Sequence, residues 1–171
     1  MTAWRFRTDA GPCLIAGPCV VEEDEVLFAV ADRLAAIGHQ FGIPVCFKAS
    51  FDKANRSRWE AARGPGLEAG LESLERVRRR SGLPLLTDVH EVGQVAGAAE
   101  VVDVLQVPAF LCRQTDLLVA CGRSGKPVNV KKGQWMDPAG MVGAVDKVRA
   151  GGSTEVAVTE RGTFFGYGDL V

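Results

Sequence analysis

The sequence contains no apolar run approaching the roughly 20 residues that a membrane-spanning helix requires. Its first residues, Met1-Thr2-Ala3-Trp4-Arg5-Phe6-Arg7, carry no apolar stretch of the secretory kind, which points to the cytoplasm. A large net charge is also missing: the formal value is −1, so nothing global argues for a nucleic-acid or membrane partner. The cysteines number 5 and form no CxxC pair, which argues against a disulfide scaffold. Only two histidines, His39 and His90, are available as imidazole ligands, so a complete metal site is not visible. No GxGxxG follows the first apolar run, and no Walker lysine motif occurs. What remains is ordinary globular composition, 47% hydrophobic and 24% charged, over 171 residues, enough for one domain with a sizeable core.

Two kinds of segment alternate. Short apolar runs rich in β-branched residues fall at 14–20, 43–49, 83–89, 101–107, 127–130 and 155–159. Their weak alternation suits strands buried on both faces of a parallel sheet. Helical spacing lies between them. Val26, Val30, Leu34 and Ile37 form one stripe, behind acidic Glu22, Glu23 and Asp24 and ahead of Gly38. Leu67, Leu71, Leu74 and Val77 form another, closed by Arg78, Arg79 and Arg80. Asp137-Pro138 opens a third, with Met141, Val145 and Val148 behind it and Gly151-Gly152 at its end. Weaker helices are expected at 92–99 and 116–122.

Such repeats mean parallel strands with helices outside. Polar residues decide between an open sheet and a barrel, because they follow many different strands: Cys19, Lys48, Lys53, Asp88, His90, Gln106, Lys131 and Arg161. A barrel gathers all its strand ends at one mouth, where its active sites sit. The expectation is α/β, a TIM (β/α)8 barrel with about six of eight βα units present. It is read as a single domain over 1–171, incomplete at the C-terminus.

Lys48, Lys53, Arg56, Arg63, Lys131, Lys132 and Arg161 all fall at or just after strand ends. Each alone is more commonly a solvated charge. Together, in a nearly neutral chain, they suit phosphates or carboxylates. Asn55-Arg56-Ser57 places an amide, a guanidinium fork and a hydroxyl in sequence, a phosphate clamp or simply a polar loop. Thr87-Asp88-Val89-His90-Glu91 sets acids and an imidazole after the third strand. Asp88 could instead cap the next helix, and Glu91 suits that helix's N-terminus. Gln106 lies among valines, where an amide needs partners. Cys46 and Cys121 read as small core residues, whereas Cys19 sits at a strand end.

Six motifs then occur in order: Ile15-Ala16-Gly17-Pro18-Cys19, the run from Phe47 to Ser57, Thr87 to Glu91, Val104 to Phe110, Asn129 to Gln134, and Glu160-Arg161-Gly162. Together they closely resemble the 3-deoxy-D-manno-octulosonate 8-phosphate synthase family, from about Leu14 to Val171. Lys53-Ala54-Asn55-Arg56-Ser57 sets it apart from the sister enzymes of the seven-carbon sugar, which carry Lys-Pro-Arg-Thr there.

The resemblance implies a cytoplasmic homotetramer of (β/α)8 barrels. Such an enzyme condenses phosphoenolpyruvate with arabinose 5-phosphate for lipopolysaccharide precursor synthesis. It implies that Lys53, Lys131 and Arg161 hold phosphoenolpyruvate with Lys48, Ser50 and Gln106 nearby. It also implies that Asn55, Arg56 and Ser57, with Arg63 in support, hold arabinose 5-phosphate, and that Asp88 and His90 line the pocket. Cysteine at position 19 marks the family's metal-dependent class. This implies Cys19 as a ligand of a divalent metal, zinc or iron ahead of manganese or cobalt, with the His, Glu and Asp ligands outside this chain. Two other readings stand beside it: a Schiff-base aldolase using Lys131, and an inactive anion-binding fragment of the synthase.

Overall fold

Residues 4–6 and 11–164 are described in the computed structural model. The chain divides into two compact units, Met1–Asp88 with Glu100–Val104, and Val89–Ala99 with Leu105–Val171. Each is built of parallel strands alternating with helices.

In the first unit, β1 (Leu14–Val20), α1 (Asp24–Phe41), β2 (Val45–Ser50), α2 (Leu67–Ser81) and β3 (Leu85–Asp88) follow one another. β1 pairs with β2 in parallel, Leu14 opposite Val45, and β2 with β3, Phe47 opposite Leu85. Every residue of β2 and β3 is buried, the polar Lys48, Ser50, Thr87 and Asp88 included. α1 turns its Leu27, Ala31 and Leu34 stripe inward, and α2 buries Leu71, Leu74 and Val77. Both helices stop at a left-handed glycine, Gly42 and Gly82, whose N–H bonds back to Gly38 and Arg78. The three arginines closing α2 also reach sideways: Arg78 to Asp103, Arg79 to Glu75 and Arg80 to Asp32.

The second unit contains most of α3 (Val92–Val101) and of β4 (Val104–Val107), then α4 (Thr115–Arg123), β5 (Val128–Lys131), α5 (Val142–Gly151) and β6 (Val156–Thr159). β4 pairs with β5 and β5 with β6, all in parallel. Residue 101, expected to open a strand, instead ends α3, so β4 is shorter than its apolar run. The Val101-Val102 pair satisfies either pattern, and the Asp103 carboxylate breaks the run by accepting the Leu85 N–H at 2.8 Å. Asp137 caps a 3-10 turn at Ala139–Met141 rather than α5 itself. α4 and α5 approach so closely that a methyl on Gly122 would strike the Val148 carbonyl oxygen.

These are sequential βα units of the (β/α)8-barrel type, with six strands among the described residues.

Candidate active site

In the first unit the chemistry gathers at the C-terminal ends of β1, β2 and β3. Gly17-Pro18 interrupts the β1–β2 register, and any side chain at Gly17 would collide with the Lys48 carbonyl oxygen. The chain leaves this bulge through Cys19, the one non-glycine with positive φ (75°) among the described residues. Its thiol is exposed, with Sγ 3.1 Å from Lys53 Nζ and 3.8 Å from Lys48 Nζ.

Lys48 is nearly buried because it projects from a strand that is itself buried throughout. Its ammonium donates to the Cys19 carbonyl at 3.1 Å and to Ser50 Oγ at 3.3 Å, and pairs with Asp88 at 3.2 Å. Lys53 donates to the same Ser50 Oγ at 3.0 Å, and that hydroxyl donates to Asp88. Partial burial, and then the Lys48 charge beside it, hold the Lys53 ammonium below the ordinary lysine range; the Cys19 and Asp88 contacts oppose this. Asp88 is thus tied to Lys48 and Ser50, at the end of the strand that precedes α3. Gln94 does the capping there, its Oε1 accepting the N–H groups of His90 (2.8 Å) and Glu91 (3.3 Å).

The loop between β2 and α2 is pinned at its base by Lys53 N–H to Arg63 O (2.7 Å) and Gly66 N–H to Phe51 O (3.1 Å). Asn55, Arg56 and Ser57 lie exposed on it, and Arg56 Nε donates to Ala62 O at 3.0 Å. Arg63 is engaged in a two-pronged pair with Asp52.

The second unit has its own polar ladder. Thr159 Oγ1 donates to Asn129 Oδ1 (2.9 Å), and Asn129 Nδ2 donates to Gln106 Oε1 (2.7 Å). This satisfies the amides that β4 and β5 bury. Lys131 shares the Asn129 face by strand alternation and is partly exposed. Arg161, in the loop after β6, reaches Gln134 at 3.3 Å. His90 lies partly buried in a cleft of about 500 Å³, lined also by Arg113, Gln114 and Asp116. Lys132 differs from the other cations: its side chain is only 1% exposed and faces backbone carbonyls.

A model described as the DAHP synthetase I family matches residues 7–170. The chain belongs to the DAHP synthetase I family. Among curated relatives, a 2-dehydro-3-deoxyphosphooctonate aldolase of Syntrophotalea carbinolica is 57% identical over 158 residues, 92% of this chain and 57% of that protein. One from Desulfatibacillum aliphaticivorans is 54% identical, covering 92% of this chain and 58% of that protein. One from Alkalilimnicola ehrlichii is 51% identical over 171 residues, 100% of this chain and 62% of that protein. The chain thus spans about three fifths of the length of these relatives.

The family implies a divalent metal at Cys19, but the described residues do not fit one. They hold no group of three or more His, Cys, Asp or Glu side chains able to bind a metal ion. Cys19 Sγ is faced instead by two lysine ammoniums, which disfavour a dication.

Sequence reading missed three members of these clusters. Asn129 could have been found: it stands two residues before Lys131 in an otherwise apolar strand, on the same face. Gln94 has the spacing of a reciprocal cap but the wrong partner type at the expected N-cap. Glu160 stands in the Glu160-Arg161-Gly162 motif, but only Arg161 was given a role there.

Proposed function

We propose that this chain contributes most of the substrate-holding groups of a synthase joining phosphoenolpyruvate to D-arabinose 5-phosphate. The products are 3-deoxy-D-manno-octulosonate 8-phosphate and inorganic phosphate. The observation that carries this reading is the pair of ammoniums, Lys48 and Lys53, both within hydrogen-bond distance of Ser50 Oγ. Lys48 pairs with Asp88 and Lys53 meets it at Ser50, so two ammoniums converge where a dianionic ligand would be held. The relatives' names, each an octonate aldolase, support the eight-carbon product.

In this reading Lys53, Lys131 and Arg161 hold the carboxylate and phosphate of phosphoenolpyruvate, with Lys48, Ser50 and Gln106 beside them. Asn55, Arg56 and Ser57, supported by Arg63, hold the sugar phosphate, and Asp88 and His90 line the pocket. C3 of phosphoenolpyruvate forms a bond to the sugar aldehyde carbon, whose oxygen takes up a proton. Water adds at C2, and the C2–O bond to phosphate then breaks, leaving the new ketone and free phosphate. The fixed cations align two anions that would otherwise repel each other. The working protein is proposed to be a cytoplasmic homotetramer serving lipopolysaccharide precursor synthesis.

The test is phosphate release, with mass analysis of the sugar product, for the full chain and its Lys53→Ala variant. The reading expects an eight-carbon keto-acid phosphate, with kcat/KM lowered about 100-fold or more in the variant. Lys53→Ala turnover equal to the unsubstituted chain would refute the assignment of Lys53.

A further inference from the structure

The cation that the proposed reaction does not use is Lys132. It stands beside Lys131, yet its side chain is 1% exposed. Burying an ammonium is unfavourable unless all of its protons find acceptors. Here the acceptors come from two loops. After β5 they are the carbonyls of Gly133 (3.3 Å) and Met136 (3.0 Å). After β6 they are the carbonyl of Gly162 (3.0 Å) and the Glu160 carboxylate (3.2 Å).

Glu160 completes the clamp from the other side, since its Oε1 also accepts the N–H groups of Arg161 and Gly162, each at 2.8 Å. The turn 160–162 is therefore gripped at both its donors and its acceptor, with Gly162 at φ 73°. Further links join the same two loops: Phe164 N–H to Gln134 O and Arg161 Nη1 to Gln134 Oε1, each 3.3 Å. Lys131 and Arg161 are the sequence neighbours of the two clamp residues.

We infer that Lys132 is a positioning residue: its buried ammonium, with Glu160, locks the loops after β5 and β6 so that Arg161 and Lys131 are preset for the phosphoenolpyruvate anion. This rests on the reading that those two side chains hold phosphoenolpyruvate. The role needs a point donor with three protons rather than a fork, because the acceptors surround one atom.

The test uses the full chain with Lys132→Met, Lys132→Arg and Glu160→Gln. Three readouts are taken: the Kd of phosphoenolpyruvate by calorimetry, the KM of each substrate, and hydrogen exchange across 133–136 and 160–164. Lys132→Met should weaken phosphoenolpyruvate by about 10-fold or more in both Kd and KM, with the arabinose 5-phosphate KM changed less than about 3-fold. The Arg161 and Gly162 amides should exchange faster, and Glu160→Gln should act in the same direction with smaller effect. Lys132→Arg should rescue only part of the loss. A lysine that merely supports the fold would lower the melting temperature and leave both KM values unchanged, and that result would overturn the inference. Equal weakening of both substrates would do the same. Should the unsubstituted chain bind no phosphoenolpyruvate, the reading of the site has failed, and exchange alone judges the clamp: unchanged protection at 161–162 overturns it. Should Lys132→Met not fold, Glu160→Gln, altered at a half-exposed side chain, decides by the same measurements.

Discussion

Cys19 shows how backbone geometry and chemistry meet at one side chain. A left-handed backbone is unfavourable for a residue with a Cβ by roughly 1–2 kcal/mol, and such strain gathers at functional sites. Cys19→Gly should therefore raise stability by about 1 kcal/mol and Cys19→Asn should leave the fold intact, since asparagine tolerates this region. Cys19→Val should lower stability. Thermal unfolding of the three variants checks the order.

The thiols should also separate by reactivity. Cys19 is exposed, while burial pushes Cys121 up to about 12 and Cys46 higher still. Alkylation at pH 8 is expected to modify Cys19 while leaving Cys46 and Cys121 untouched until the protein unfolds. Because the folded values of those two lie above the unfolded one near 9.0, the unfolded state releases their protons first as pH rises. Stability should hold below pH 9 and fall above it. Label on Cys121 of the native protein would contradict this.

Glu160 runs in the opposite direction. Burial raises its pKa, but the N–H groups of Arg161 and Gly162 and the Lys132 ammonium outweigh that and hold it below the ordinary 4.5. Its contribution is present above 4.5 and is lost as pH falls through the depressed value. Amide shifts of Arg161 and Gly162 should stay flat from pH 8 to 5 and move only in stronger acid. Movement near neutral pH would show that the clamp is absent.

Among the elements, β2, β3 and α2 were legible, and α1 was found but with its inward face one position out: Leu27, Ala31 and Leu34 are buried, while Val26 of the expected stripe is exposed. The run 43–49 is short and lacks a helical stripe, and the α2 stripe repeats too regularly for anything else. The start of β4 was misplaced because two consecutive valines fit the end of a helix as well as the start of a strand. The close contact of α4 and α5 was invisible, since Gly122 and Gly151 read as a weak helix interior and a helix stop. The structure shows that each lacks a side chain because the other helix's backbone occupies the space: a Cβ on Gly151 would lie 2.8 Å from the Gly122 Cα. Gly122→Ala should therefore cost about 1–3 kcal/mol despite its gain in helix propensity. With roughly 2–4 °C per kcal/mol for a chain of this size, calorimetry would detect it; an unchanged melting temperature would mean that the helices can part freely.

For the molecule as a whole, strand-end polar residues gave the fold type. Among the described residues no helix is long and apolar enough to cross a membrane. That Lys132 is buried was not legible: it stands beside Lys131 in sequence, and only the packing of two loops encloses its ammonium. Arg63 likewise reads as a free cation until its Asp52 partner is placed.

The assignment of an eight-carbon product turns on the Asn55-Arg56-Ser57 run. The deciding experiment gives the protein phosphoenolpyruvate with either arabinose 5-phosphate or erythrose 4-phosphate and compares kcat/KM. The five-carbon sugar phosphate should be preferred by about 100-fold or more, since a site built to position one chain length misplaces the aldehyde of a shorter one. Equal specificity constants for the two sugars, or a preference for the shorter, would contradict it.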